Sequence, residues 1–280
     1  MIRCLKTCLF AVFVLHSIHR SDENQNEEPD TYDFITVKPE YIIQPVKNHT
    51  GTVIFLHGMI DTDPGIEDLK KAMKPFMLDI AHIKIIFPRA PHRPYSLMNE
   101  APRYIWFNRK WITIYEEEDL PSFEMSCIDI QKLIANEVKA GIPFEKILLG
   151  GFSMGGEMAL HIAYRYMQNL TGVFAISAFL RENSEVLEHL YHNDFETLPE
   201  LFLAVGTRDD VALAYWVEDT FNKLQDVRVH GNMHIMKDME HEVREDVLEE
   251  LWGWVLRYIP DHFGKKRRRK FLLESHYKND

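Results

Sequence analysis

The stretch "KILLGGFSMGGEMALHIAY", residues 146–164, passes from β-branched and leucine residues through two pairs of glycines flanking a serine, and then into a helical pattern. Within it Gly151-Phe152-Ser153-Met154-Gly155 fits G-x-S-x-G. That spacing places a serine on a sharp strand-to-helix turn, where few side chains two residues before or after it could be accommodated and glycine removes the clash. The pattern predicts a strand over 146–149 and a helix beyond Ser153, with Met158, Ala159, Ile162, Ala163 and Tyr166 at helical spacing.

Outward from this stretch the same alternation repeats. "GTVIFLHG" (51–58) reads as a buried strand ending at a glycine turn, "GIEDLKKAMKPFML" (65–78) as a helix, and "HIKIIFPRAP" (82–91) as a strand stopped by Pro88 and Pro91. "LPSFEMSCIDIQKLIANEVKAGIP" predicts a helix whose inner side holds Ile128, Leu133, Ile134 and Val138, ended by Gly141 and Pro143. "GVFAISA" and "ELFLAVG" read as short apolar strands, "DVRVHG" as another, and "EVREDVLEELWGWVLRYI" as a closing helix. Alternating strands and helices with right-handed crossovers predict one α/β domain, a mostly parallel sheet with helices on both faces and its chemistry at the strands' carboxyl ends.

The chain has 280 residues, 46% of them hydrophobic and 12% aromatic, enough for a substantial core. Its formal charge of −11 is unevenly spread. Six of the 32 basic residues form the run "KKRRRK" at 265–270, leaving a strongly acidic body that argues against broad nucleic-acid binding. The run itself is read as a solvated tail over a nuclear signal or a transient contact with anionic lipid. Residues 1–20 have a basic start and an apolar segment from Leu9 to Leu15, like a signal peptide, but the small residues of a cleavage site are scarce. The apolar segment is too short for an ordinary spanning helix. The expected organisation is a signal-like leader (1–20), a polar linker (21–34), the α/β domain (35–260) and a basic tail (261–280). A working leader would direct the chain into the secretory path, where Asn48 and Asn169 head N-x-T glycan sequons; otherwise a cytoplasmic location is expected. Cys4 and Cys8 lie in the leader, so Cys127 is the one cysteine beyond it, read as a buried hydrophobe.

A serine hydroxyl near neutral pH needs an imidazole to take its proton and a carboxylate to hold that imidazole in the right tautomer. "LPELFLAVGTRDDVA" supplies Asp209 and Asp210 on a turn after a strand, and "MKDMEHEVREDVLEELW" supplies His241 just before the last helix. His230 and His234 compete for the role of base, but the order serine, acid, then a histidine abutting the final helix favours His241. His57 is read as a loop-orienting residue. The backbone N–H groups of Met154 and Met59 are candidate oxyanion donors. Trp106 and Phe107 are candidates for an apolar substrate groove.

Taken together, "FLHGMIDTDPG", "HIKIIFPRAPHRPY", "IWFN", "EVKAGIPFEKILLGGFSMGGEMALHIAYR", "LPELFLAVGTRDD" and the His241 segment resemble the acyl-protein thioesterase and lysophospholipase group of α/β hydrolases, in that group's order, over about residues 52–259. The resemblance implies an α/β-hydrolase fold and a cofactor-free serine hydrolase; no metal is expected, and the chain is expected to be a monomer. It would act on thioesters or esters, S-acylated proteins being the leading substrates. It also implies Asp209 over Asp210 as the acid, with Ser153 and His241, and Met59 with Met154 as oxyanion donors. Three positions depart from the group's pattern: Ile60 and Asp63 stand where glycine is usual in the loop after "HG", and Asn108 where aspartate is common. An oxyanion loop deformed by Ile60 and Asp63 would leave a protein that binds acyl ligands without turning them over. A peptidase sharing the same three residues is disfavoured, since the sequence offers no peptide-binding subsite.

Overall fold

A computed structural model describes residues 35–59 and 63–261. Its elements are β1 (Ile42–Ile43), β2 (Gly51–Leu56), α1 (Asp63–Ala72), β3 (Ile83–Ile86), β4 (His92–Tyr95), β5 (Ala101–Tyr104), α2 (Leu120–Lys139), β6 (Ile147–Phe152), α3 (Met154–Arg165), β7 (Gly172–Ile176), α4 (Glu185–His192), β8 (Glu200–Gly206), α5 (Ala214–Asp226), β9 (Gly231–Met236) and α6 (Glu245–Tyr258). Among the described residues seven strands form one sheet in the order β1-β3-β2-β6-β7-β8-β9. Within it only β1 runs antiparallel, pairing with β3. β4 and β5 form a separate hairpin.

Neighbouring residues of the central strands point to opposite faces, and both faces are covered. Ile54, Leu56, Leu149, Val173, Leu201 and Leu203 enter one core with residues of α2, α3, α4 and α5. Val53, Phe55, Leu148, Phe174, Phe202 and Ala204 enter the other with α1 and α6. This is why the strands read as continuous apolar runs rather than alternating ones.

Three local readings shift. In α2 the buried stripe is Phe123, Cys127, Ile130 and Ile134, whereas Ile128, expected inside, is 51% exposed. The apolar pattern runs about one residue out of phase with the buried face, because the polar Ser126 and Glu137 also lie inward. "DVRVHG" is the turn leaving α5: Arg228 has φ 69°, and the amides of Arg228 and Val229 return to Gln225 and Leu224. The strand starts at Gly231, where a Cβ would lie 2.1 Å from the Leu201 carbonyl oxygen. β6 continues through both glycines to Phe152, since β2 and β7 pair with it on either side, and Gly150 makes room for the Phe174 ring, which a Cβ there would meet at 2.2 Å.

Asn48 and Asn169 are exposed, and Cys127 is buried, its thiol pushed up by that burial. No helix among the described residues is long and apolar enough to cross a membrane. The signal-like leader, the linker to residue 34 and the basic run lie outside the described residues.

Candidate active site

The sheet order reverses at β2, with β3 on one side and β6 on the other, so the carboxyl ends of β2 and β6 flank a topological switch point. Ser153 sits there. It joins β6 to α3 with φ 52° and ψ −122°, a conformation outside the ordinary regions for a residue bearing a side chain. Its amide donates to the Ile176 carbonyl at 2.8 Å, and its own carbonyl accepts the Glu157 amide at 3.1 Å. The turn is therefore held from the backbone on both sides.

Gly151 and Gly155 let the end of β2 close on this turn. A Cβ on Gly155 would lie 2.3 Å from the Leu56 oxygen and 2.5 Å from the His57 oxygen, and one on Gly151 2.4 Å from the same Leu56 oxygen. These neighbours are backbone and cannot rotate away. Gly155→Ala is expected to lower stability by about 3 kcal/mol, since overpacking a filled site forces a backbone shift. Chemical denaturation measures this, and a loss below about 0.5 kcal/mol would show that β2 and α3 separate freely.

Asp209 follows β8 and His241 precedes α6. His241 Nε2 lies 2.9 Å from Ser153 Oγ, while His241 Nδ1 lies 3.0 Å from Asp209 Oδ2 and 3.1 Å from Oδ1. With a carboxylate at Nδ1 the ring carries its proton there, leaving Nε2 to accept from the serine hydroxyl. Asp209 Oδ1 also accepts the amides of Val211 at 3.0 Å and Ala212 at 2.8 Å. Burial alone would raise the Asp209 carboxyl; the His241 hydrogen bond and charge, with the Ala212 amide, hold it below its ordinary value. It is an anion poised to balance an imidazolium.

The competing residues lie elsewhere. Asp210 and His230 are exposed, and His234 stacks on Phe202 at 4.6 Å near Glu250. His57 is buried, its Nε2 accepting from the Ala90 amide at 2.9 Å and its Nδ1 lying 2.6 Å from the Gly58 oxygen. Both ring nitrogens are thus engaged in holding the loop after β2. Met154 opens α3, so its amide belongs to the first turn, where N–H groups lack intrahelical acceptors. Met59 ends the described part of the β2 loop; Ile60 lies outside the described residues, and Asp63 is the first residue of α1.

Trp106 and Phe107 do not line a groove. Both are 0% exposed. Trp106 donates its indole N–H to the His57 carbonyl at 2.8 Å and so braces the β2 loop from below, while Phe107 stacks on Phe123 at 4.0 Å. Asn108 is also committed: its Oδ1 accepts the Ser96 amide at 3.0 Å and its Nδ2 donates to Ser96 Oγ at 2.9 Å, tying its segment to the end of β4. A carboxylate there could accept but not donate.

Two features escaped the sequence reading. Ser177 follows β7 as Ser153 follows β6: its φ is 51°, its amide donates to the Ala204 carbonyl at 2.7 Å, and its buried hydroxyl lies near Asp209 without a hydrogen bond to it. Beside α3 lies a buried ionic cluster. Glu157 pairs with Arg181, and with Arg109 at 3.6 Å; the Arg181 guanidinium lies over Phe107 and Phe123. Nearby, His161 contacts Glu118 at 3.1 Å. Glu118, Glu157 and His161 lie close enough to share a metal ion, but the two arginines already neutralise Glu157.

Burial alone would raise the Glu118 carboxyl, yet His161, the Ser184 hydroxyl and the Glu185 amide bring it down to about 2. An unfolded carboxyl takes up its proton near 4.5, so the stabilisation is complete above that value and drains away as pH falls toward 2. Glu118→Gln is therefore expected to cost up to roughly 3 kcal/mol at neutral pH and to flatten the acid limb of the stability profile. Denaturation midpoints from pH 6 down to pH 3 would check this; an acid limb as steep as the wild type's would remove Glu118 from the account.

A doubly covered, mostly parallel sheet with a serine on the turn after β6, an acid after β8 and a histidine before the last helix defines an α/β hydrolase. The chain belongs to the Phospholipase/Carboxylesterase family, whose profile matches residues 38–255. It is 37% identical over 222 residues to Lysophospholipase-like protein 1 of Mus musculus, covering 79% of this chain and 92% of that one. It is 31% identical to Acyl-protein thioesterase 1 homolog 2 of Dictyostelium discoideum, covering 78% and 97%. Among solved structures, Zea mays acyl-protein thioesterase 2 superposes with a TM-score of 0.66 at 22% identity, covering 81% of this chain and 100% of that one. Arabidopsis thaliana SOBER1 superposes with a TM-score of 0.64 at 21% identity, covering 75% and 99%.

Proposed function

We propose that this hydrolase cleaves acyl thioesters and esters through a covalent acyl-serine, with S-acylated proteins as its leading substrates. Ser153 Oγ attacks the carbonyl carbon of RCO–XR′ while His241 Nε2 takes the hydroxyl proton. The tetrahedral oxyanion is held by the amides of Met154 and Met59. Collapse breaks the C–X bond, and the proton on His241 passes to the departing heteroatom as HXR′. Water then repeats the sequence, giving RCOOH and free Ser153.

The observation that supports this reading most directly is the unbroken chain of contacts from Ser153 Oγ to His241 at 2.9 Å and from His241 to Asp209 at 3.0 Å. The acyl-protein thioesterases among its relatives support the choice of thioester substrates. A fluorophosphonate probe is expected to label the folded protein and to fail on Ser153→Ala; labelling that persists in the variant overturns the assignment. Hydrolysis of a short and a palmitoyl thioester by the same preparation separates a working enzyme from a protein that only binds acyl ligands.

A further inference from the structure

A cavity of about 300 Å³ lies beside His241. Its walls include Phe55 and Phe152 at the ends of β2 and β6, Phe87 just after β3, Ile66 and Leu69 from α1, and Val243 from the loop before α6, together with His57 and His241. Phe152 stands 4.7 Å from the His241 ring, centroid to centroid. Ser153, Met154, Met59 and Asp209 are not among its walls. It belongs to the α1 and α6 side of the sheet, where Phe55, Ile66 and Phe87 pack.

The proposed chemistry assigns three directions around the carbonyl carbon. The oxyanion points to the backbone amides, the departing heteroatom must lie beside the nitrogen that protonates it, and the acyl chain takes the remaining side. A space walled by the imidazole and bare of the oxyanion donors is on the departing group's side. We infer that this cavity receives the apolar alcohol or thiol half of the substrate, R′ in RCO–XR′, as a leaving-group subsite; the inference rests on the serine-hydrolase reading.

Its size and rim narrow the class. A volume of about 300 Å³ is at the small end for ligand sites and suits a compact ring better than a long alkyl chain. Asp68 and Glu242, both exposed, are among the lining residues and oppose an anionic leaving group. The fitting substrates are esters and thioesters of neutral, compact, apolar alcohols and thiols, a class beside S-acylated proteins, whose departing cysteine carries a polypeptide that a cavity of about 300 Å³ does not hold.

Acetates of ethanol, benzyl alcohol and 2-naphthylmethanol test this, because their alcohols have similar acidity and differ mainly in bulk. The wild type is expected to show a kcat/KM at least about tenfold higher for the benzyl than for the ethyl ester, as one well-filled apolar contact provides. Ala72→Phe fills the cavity from α1 and should lower the benzyl-to-ethyl ratio by about tenfold. Leu69→Trp does so one turn earlier and serves if the first variant does not fold. In both variants the ratio of ethyl hexanoate to ethyl acetate should stay at its wild-type value. A change in the acyl ratio with a constant alcohol ratio would make the cavity an acyl site and overturn the inference, as would constancy of both. Fluorophosphonate labelling of Ser153 with a flat alcohol series refutes the subsite alone; absence of both labelling and hydrolysis refutes the hydrolase reading with it.

Discussion

Ser153→Ala is expected to lower kcat/KM for any ester or thioester by about 10⁴-fold or more while leaving the far-UV spectrum intact. Ser177, the neighbouring hydroxyl at a strand end, cannot stand in for it, being 1% exposed. The amides of Met154 and Met59 survive the substitution, so binding of a carbonyl oxygen and a small residual rate over water persist. Progress curves with a chromogenic acetate measure the effect. A loss of less than about a hundredfold would mean that water rather than Ser153 is the attacking group, with His241 as its base.

Asp209→Asn should cost about 10³ to 10⁴ in kcat with little change in fold. The reason lies in donor and acceptor counting. Asp209 accepts at both oxygens, from two backbone amides and from His241 Nδ1. Asparagine has one accepting oxygen, and the Val211 and Ala212 amides claim it, which turns its NH₂ toward the imidazole. Nδ1 then accepts, Nε2 carries the proton, and that proton faces Ser153 Oγ at 2.9 Å, where no base is left to receive the serine hydrogen. Steady-state kinetics should show the loss in kcat rather than in KM. A decrease smaller than tenfold would place the orienting role elsewhere, with Ser177 and the backbone of the β8 loop.

How far the residues alone disclosed this arrangement depends on the range over which each signal acts. The turn at Ser153 was legible because its causes are local: glycines at 151 and 155, an apolar run before and a helical period after. The places of Asp209 and His241 were legible because parallel strands carry successive loops to one edge of the sheet, so chain order fixes who can meet. The role of Trp106 was not, since nothing in its neighbours reveals that its indole reaches His57, 49 residues earlier. The same holds for Glu157, whose partners Arg109 and Arg181 come from two separate loops. "DVRVHG" misleads for the opposite reason: its β-branched residues favour a strand locally, but the chain uses them to cap α5 and bury Val229.

The bend at 153 also sets folding against turnover. A side chain held at φ 52° stores on the order of 1–3 kcal/mol that glycine would not, so the serine that the proposed chemistry requires is also one the folded chain would be sturdier without. On the proposed mechanism, that strain is carried by the rest of the sheet. The firm backbone anchoring of that bend, to Ile176 on one side and Glu157 on the other, is what lets the molecule keep an uncomfortable residue in place between one substrate and the next.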